Sequence, residues 1–492
     1  MKTTIALLKE DKKYVTEQLQ QGKFEAFVAS ELTVADKIML TAIEDGLVEK
    51  ITDSFPEKRQ QIEVPTLIVV GSAMASRLMG IKAMKNIPYA IGSAELISEF
   101  GYSLKVLEEG FVKAKKNRHT LFDGDVIRHL TKNYSKDGEE LVKWFNEKVS
   151  ETFLNLSMPE DKKKKGKEAE TICQRRVFIF DTTFLDVPED NPNYELATHV
   201  KQKNDKGEEE NHYGYKLGTI HCEGFQVRLW LGSNKVHDIN VLREMAFSRK
   251  SLLKDGDLLI FDRGLVDGDT ISRLKKEKGT SVIFPLKKNM NSFEEAITIA
   301  KLQKNWRKNP LKPKQEIAFV ESVEHMWDEC SVKLNAVVIR KRKKGFRSYI
   351  YWVLVTTDTS LKKEQIVCFY RERPEIEEDY HQFKDEWLIK GFTSTKFIHI
   401  LWFVTFTLIA YNLFVYYQYT KAGISKVRHR LHHYNLQQRI NPDVRVVVYA
   451  GGAVACYRFD EFALLMLELK PEVQHKVKQQ LKQKISAKPI PN

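Results

Sequence analysis

The chain has 492 residues, 42% of them hydrophobic and 11% aromatic, which excludes wholesale disorder and leaves room for several domains around a large core. Lys and Arg number 79 against 66 for Asp and Glu, a net charge of +13 with a pI near 9.1, which favours a polyanionic partner. The five cysteines (Cys173, Cys222, Cys330, Cys368 and Cys456) lack any CxxC pair or tight Cys/His spacing; this excludes a zinc knuckle and a disulfide framework and suits a reducing compartment.

The opening MKTTIALLKEDKK turns charged too soon for a signal peptide. Residues 1–157 read as a mostly helical N-terminal domain, with capped starts at Ser30-Glu-Leu-Thr33 and Asp123-Gly-Asp125 ahead of amphipathic runs. PTLIVVGSAMASRLMGIKAM holds Gly71 and Gly80 beside an apolar run but neither GxGxxG nor GxxxxGK[ST], so nucleotide binding there is rejected. MPEDKKKKGKEAE falls in a charged linker, 158–172.

From 173 to 288 the pattern changes to strands, then alternating strand and helix. RRVFIFDTTFLDV, HYGYKLGTIHC and FQVRLWLGS form a meander, the last two joined by a Glu-Gly turn. HDINVLREMAFSRKSLL reads as a helix, GDLLIFDRG as a buried strand, DGDTISRLKKEKG as a helix and SVIFPLK as a strand. That order predicts an α/β fold with a mixed sheet and helices on its faces. Residues 289–365 form a β-rich insertion rich in Lys and Arg, and 366–420 return to the core. FIHILWFVTFTLIAYNLFVYYQY (397–419) is long enough to cross a bilayer, yet it carries His399, Thr405, Thr407, Asn412 and Gln418, and we read it as a buried core helix. Residues 421–492 form a basic helical C-terminal region ending in an amphipathic helix near 458–486.

Three carboxylates stand on separate elements. Asp181 follows VFIF and Asp262 follows LLIF, each where an apolar strand runs out of core, which is where α/β sheets present their sites. Glu377 lies in FYRERPEIEEDYHQFK, bordering the apolar stripe Ile376, Tyr380, Phe383 and Trp387. Pro374 suits a first helical turn, so the helix is expected to begin there with Arg373 extended before it. Asp186, five beyond Asp181, faces the opposite side of the sheet, and Asp267 or Asp269 suits a helix cap. Converging carboxylates suit Mg²⁺, and two such ions about 4 Å apart can activate an oxygen nucleophile and stabilise a leaving oxygen in phosphodiester chemistry. Tyr370, Arg373 and Lys384 are the side-chain types that hold a DNA backbone by hydroxyl, planar fork and point charge.

Tyr370-x2-Arg373-x3-Glu377-x6-Lys384 resembles the YREK signature of the insertion-sequence-four family of DDE transposases. FDTTFLDV, LIFDRG and the intervening YGYKLG resemble the surroundings of the family's first two aspartates. The resemblance implies an RNase H-like core with Asp181, Asp262 and Glu377 as catalytic triad and ligands of two Mg²⁺ or Mn²⁺ ions. It implies further that Tyr370, Arg373 and Lys384 bind DNA, with the helical N-terminal domain on the element ends. The partners implied are double-stranded DNA (transposon ends and target) and a second copy in a homodimer on DNA; no membrane partner is expected, and the expected location is cytoplasmic, at the nucleoid through DNA. Trp306, Trp327 and Trp352 in the insertion are expected to pack in the core, with receipt of an unstacked base as the alternative. The alternatives to transposition are a metal-dependent nuclease or domesticated transposase and a non-catalytic DNA-binding protein. RKRKKGFR (340–347) reads equally as a DNA track or a charged hairpin turn, and His429 with His433 as a basic helix face rather than a zinc site.

Overall fold

A computed structural model describes residues 9–485 except 104, 112–119, 157–174, 204–207, 249–250, 344, 347, 422–429 and 441. The proposed linker, Cys173 and His429 lie outside the described residues. The chain divides into two compact units: residues 1–135, 386–393 and 406–492 in one, residues 136–385 and 394–405 in the other.

The first unit joins both ends of the chain. Strand Ala26–Leu32 pairs antiparallel with Asp443–Ala450, which pairs with Ala453–Arg458, and Lys9–Glu10 adds a parallel edge. Phe27, Val446, Val448, Tyr457 and Phe462 pack in one core beside this sheet. The C-terminal region is therefore not purely helical, as composition suggested: VRVVVYA alternates poorly but is β-branched, and Gly451-Gly452, both at positive φ, make the hairpin turn. The single amphipathic helix expected near 458–486 is two, Phe459–Glu468 and Pro471–Ile485, because Pro471 cannot continue the first. The other segments of the unit are mostly helical. Thr33 caps Val34–Glu44 through a reciprocal capping box with Asp36, and Gly71 lies inside helix Thr66–Leu78, where a Cβ would come 2.9 Å from the Phe100 ring.

The second unit is built on a ten-stranded mixed sheet. β1 (Val177–Asp186), β2 (Thr198–Lys203), β3 (Glu209–Cys222) and β4 (Phe225–Ser233) are linked by antiparallel pairing through β3. The Glu-Gly turn between β3 and β4 places both Glu223 and Gly224 at positive φ, as the twist of a tight hairpin requires. After helix α1 (Asp238–Phe247), β5 (Leu258–Ile260) runs parallel to β1. Helix α2 (Gly268–Lys278), capped by the Asp267 side chain, leads to β6 (Ser281–Pro285), parallel to β5. Antiparallel β4–β3–β1 continued by parallel β5 and β6 is the strand order of an RNase H-like core. The mixed α/β class read from the sequence is observed.

The β-rich insertion extends this sheet. After helix α3 (Asn291–Gln303) come β7 (Arg307–Lys308), β8 (Gln315–Val320), β9 (Asn335–Arg342) and β10 (Tyr349–Thr356), and β10 pairs antiparallel with β6. Arg340, Lys341 and Arg342 of RKRKKGFR pair with Tyr351, Ile350 and Tyr349 at the end of β9, while its Lys344 and Arg347 lie outside the described residues. Helices α4 (Lys363–Tyr370) and α5 (Pro374–Asp385) follow. The long apolar helix α6 (Phe397–Lys421) starts in this unit and ends in the other. By length and composition its Phe397–Thr420 stretch could cross a membrane, but 89% of that apolar window is buried inside the protein, as a core helix would be.

Candidate active site

Asp181 sits in mid β1 and pairs across the ladder with Thr219 of β3. Directly opposed residues share a sheet face, so Asp181, Thr219 and, two residues on, His221 project to one side. Asp186, at an odd offset, faces the other side and pairs with His212 at 2.9 Å. Asp262 follows β5 by two residues and precedes a short turn, Arg263–Leu265. Parallel pairing of β1 and β5 brings the two aspartates to neighbouring strands.

Glu377 lies in the first turn of α5, which begins at Pro374 as expected. The segment before it differs from expectation. Tyr370 ends helix α4, and Arg373 stands in a turn with its N–H bonded to the Tyr370 carbonyl, rather than in an extended strand. Ile366, Val367 and Phe369 are buried and hold α4 in place, so the chain turns sharply at Arg371–Arg373 to start the second helix.

This turn aims Arg373 at all three carboxylates. Its Nη2 lies 3.4 Å from Asp181 Oδ2 and 3.5 Å from Asp262 Oδ2, and its Nη1 bonds Glu377 Oε1. The Arg373 side chain is only 14% exposed, against 21%, 36% and 48% for those of Asp181, Asp262 and Glu377. Three acids from a strand, a turn and a helix thus meet on one cation. Burial pushes the Asp181 carboxyl up to about 6; Arg373 and the Thr182 N–H oppose this, and the charges of Asp262 and Glu377 add to it. The same acids hold the Arg373 guanidinium above its ordinary value against the effect of burial. Burial likewise lifts Tyr370 to about 12, so its hydroxyl stays protonated and able to donate beside the acids. Lys384, half-buried, follows Glu377 two turns along α5.

The all-oxygen donor set suits a hard divalent cation, and its like charges need one. Among the described residues no group of three or more His, Cys, Asp and Glu stands in metal-ligand arrangement, and the Arg373 guanidinium lies among the oxygens of Asp181, Asp262 and Glu377. Asp181, Asp262 and Glu377 would hold the ions once that side chain withdraws.

Four further residues stand around these acids. Tyr380 belongs to the apolar stripe, yet its hydroxyl bonds Asp181; Asp379 is fully buried against His221 and Gln226, none of which the sequence marks as functional. The available signal was the spacing of Asp379, three residues after buried Ile376, on the face that meets the sheet. The insertion tryptophans differ in setting. Trp306 lies under the Arg340 guanidinium at 3.9 Å, Trp327 packs edge-on to Phe284, and Trp352 is 40% exposed.

Residues 172–413 match the family model described as the transposase DDE domain. The matched segment contains the whole triad, and the match supports a DDE transposase. Among solved structures the chain is similar to a piggyBac transposase synaptic complex with hairpin DNA, at 10% sequence identity over 87% of this chain and 82% of that one, with a TM-score of 0.39. No curated protein matches the sequence.

Proposed function

We propose that the chain is a transposase of the insertion-sequence-four kind, which binds the terminal repeats of its element, cuts phosphodiesters there and transfers the 3′ ends to target DNA. The convergence of Asp181, Asp262 and Glu377, from separate elements, on one largely buried guanidinium supports this reading most directly.

Transposases of the DDE family work with divalent metal ions; Mg²⁺ or Mn²⁺, two per site, would supply Lewis acidity at the scissile phosphate. Asp181 reaches the site from a rigid strand in the middle of the sheet, whereas Asp262 and Glu377 approach from a turn and a helix N-terminus. With Asp181 ionised, the triad carries three negative charges, so attraction for cations is strong and Arg373 is held inward until a competing cation arrives. A withdrawn Arg373 presents a planar two-pronged donor to phosphate oxygens, beside the protonated Tyr370 hydroxyl. Lys384 extends the positive surface along α5, and the net charge of +13 favours approach to double-stranded DNA. Two element ends handled together require two active sites, which we assign to a homodimer on DNA.

The test is metal-dependent cleavage and strand transfer on DNA flanking the gene. Cleavage by wild type that is lost in Asp181→Asn, Asp262→Asn and Glu377→Gln is the expected result. Full activity in any one of the three would remove that residue from the triad. Cleavage without joining of 3′ ends would leave a nuclease.

A further inference from the structure

The helix that carries Glu377 is tied to the strand that carries Asp181 by two sets of buried polar contacts. Tyr380, three residues beyond Glu377, donates its hydroxyl to the main-chain oxygen of Asp181 at 2.6 Å. The same hydroxyl oxygen lies 2.9 Å from Oγ1 of Thr219, the residue directly opposite Asp181 in the ladder. A tyrosine has one hydroxyl hydrogen, so Thr219 is the donor in that second bond. Asp379, fully buried, accepts at Oδ2 from Gln226 Nε2 at 2.7 Å and meets His221 Nδ1 at 2.6 Å. His221 Nε2 accepts from the Gly224 N–H at 3.0 Å, which assigns the imidazole hydrogen to Nδ1, facing Asp379.

These contacts depend on an irregularity in the sheet. The register of β3 against β4 shifts between Ile220 and His221, so that Ile220 opposes Arg228 while His221 opposes Gln226. Bulges of this kind re-aim side chains, and here His221 and Gln226 meet the same carboxylate oxygen. Apolar packing alone would bury α5 just as well: Ile376 and Phe383 are already 0% and 1% exposed. Such packing is non-directional, however, and a helix held only by it can rotate or slide. One residue of rotation would carry Glu377 about 100° from its present bearing. Directed bonds to the Asp181 carbonyl and to its ladder partner prevent that.

We propose that Tyr380 and Asp379 are positioning residues that set the placement of Glu377 relative to Asp181 and thereby the affinity of the triad for divalent cations. This rests on the reading of the triad as a metal site. Tyr380 acts on the backbone of one ligand residue from the helix of another, and Asp379 fixes the rotation of that helix through His221 and Gln226.

The experiment uses the full chain, with Mn²⁺ binding measured by calorimetry, thermal unfolding in EDTA, and cleavage as a function of Mn²⁺ concentration. Tyr380→Phe keeps the ring and removes the bonds. It should unfold within a few degrees of wild type, yet bind Mn²⁺ about tenfold more weakly, with the half-maximal Mn²⁺ for cleavage rising in step. A role confined to stability would lower the unfolding temperature and leave the affinity of the folded protein unchanged; that result overturns the proposal. Thr219→Val, which removes one bond and keeps shape, provides the same comparison if Tyr380→Phe does not fold. Glu377→Gln separates the two levels: Mn²⁺ affinity equal to wild type in that variant would refute the metal site itself.

Discussion

Replacing Asp181 with Asn should make the metal-free protein more stable, and increasingly so as the pH rises. Burial lifts this carboxyl from its ordinary 3.8 to about 6, so the folded protein holds the proton more tightly than the unfolded chain does. The stability contributed is complete below about pH 4 and is lost as the pH passes through about 6. Two units at 1.36 kcal/mol each put the cost of the ionised form at about 3 kcal/mol at pH 8. The side chain is 21% exposed, so solvent screens little of this. Asparagine carries no such dependence, and the gap between variant and wild type should widen by roughly 1.5 kcal/mol between pH 5 and pH 8 in EDTA. Hydrogen exchange of the peptides covering β1 and α5 is the suitable assay, because a chain of two units need not unfold in one step. Adding Mn²⁺ at about 100 times its dissociation constant should stabilise wild type by about 2.7 kcal/mol and the variant by much less. A gap that stays constant or narrows with rising pH in EDTA would show that Asp181 is not a destabilised carboxylate.

Asp262→Asn and Glu377→Gln should each lower cleavage of cognate ends about a hundredfold or more while leaving DNA affinity in EDTA within a few-fold of wild type, read by gel shift. Lys384→Ala should weaken end binding and reduce the slope of log affinity against log salt by about 1; an unchanged slope would remove the phosphate role. Arg373→Met should move the ionisation of Asp181 to higher pH, since the guanidinium is the largest influence opposing burial there; the pH profile of exchange in β1 measures it.

The strand-then-alternation order, the aspartate just past LLIF and the Pro374 helix start were legible because each rests on local chemistry: apolar runs, turn residues and a proline that fixes φ; β1, by contrast, does not end at Asp181 but runs on to Asp186. The N-terminal and C-terminal segments gave no sign of sharing a sheet. The pairing of Ala26–Leu32 with Asp443–Ala450 depends on contacts some four hundred residues apart, which no local period encodes. The extension of the core sheet by β10 was hidden for the same reason: YIYWVLVT reads as a strand but does not say which neighbour it takes. At the site the acids were readable, but their supports were not. Asp379 resembles any exposed helix acid until the bulge at His221 is seen to supply its donors.

The position of Arg373 follows from charge rather than from the helical pattern that first marked it. Four residues before Glu377, it can reach that carboxylate along the helix, as an ordinary i,i+4 pair would. An exposed pair of that sort stabilises little, yet this guanidinium also spans to Asp181 and Asp262 and is the least exposed of the four groups. Desolvating three carboxylates together without a counter-charge would drive protons onto them. The guanidinium opposes the rise that burial imposes on the Asp181 carboxyl, and it lies on the oxygens that a divalent ion would use. A divalent ion at the proposed site would compete with Arg373 for one place, and any gain in cation affinity from removing Arg373 must be set against protonation of Asp181. Metal affinity in Arg373→Met should accordingly rise most at pH 8, where protons no longer take the vacated charge, and least near pH 6.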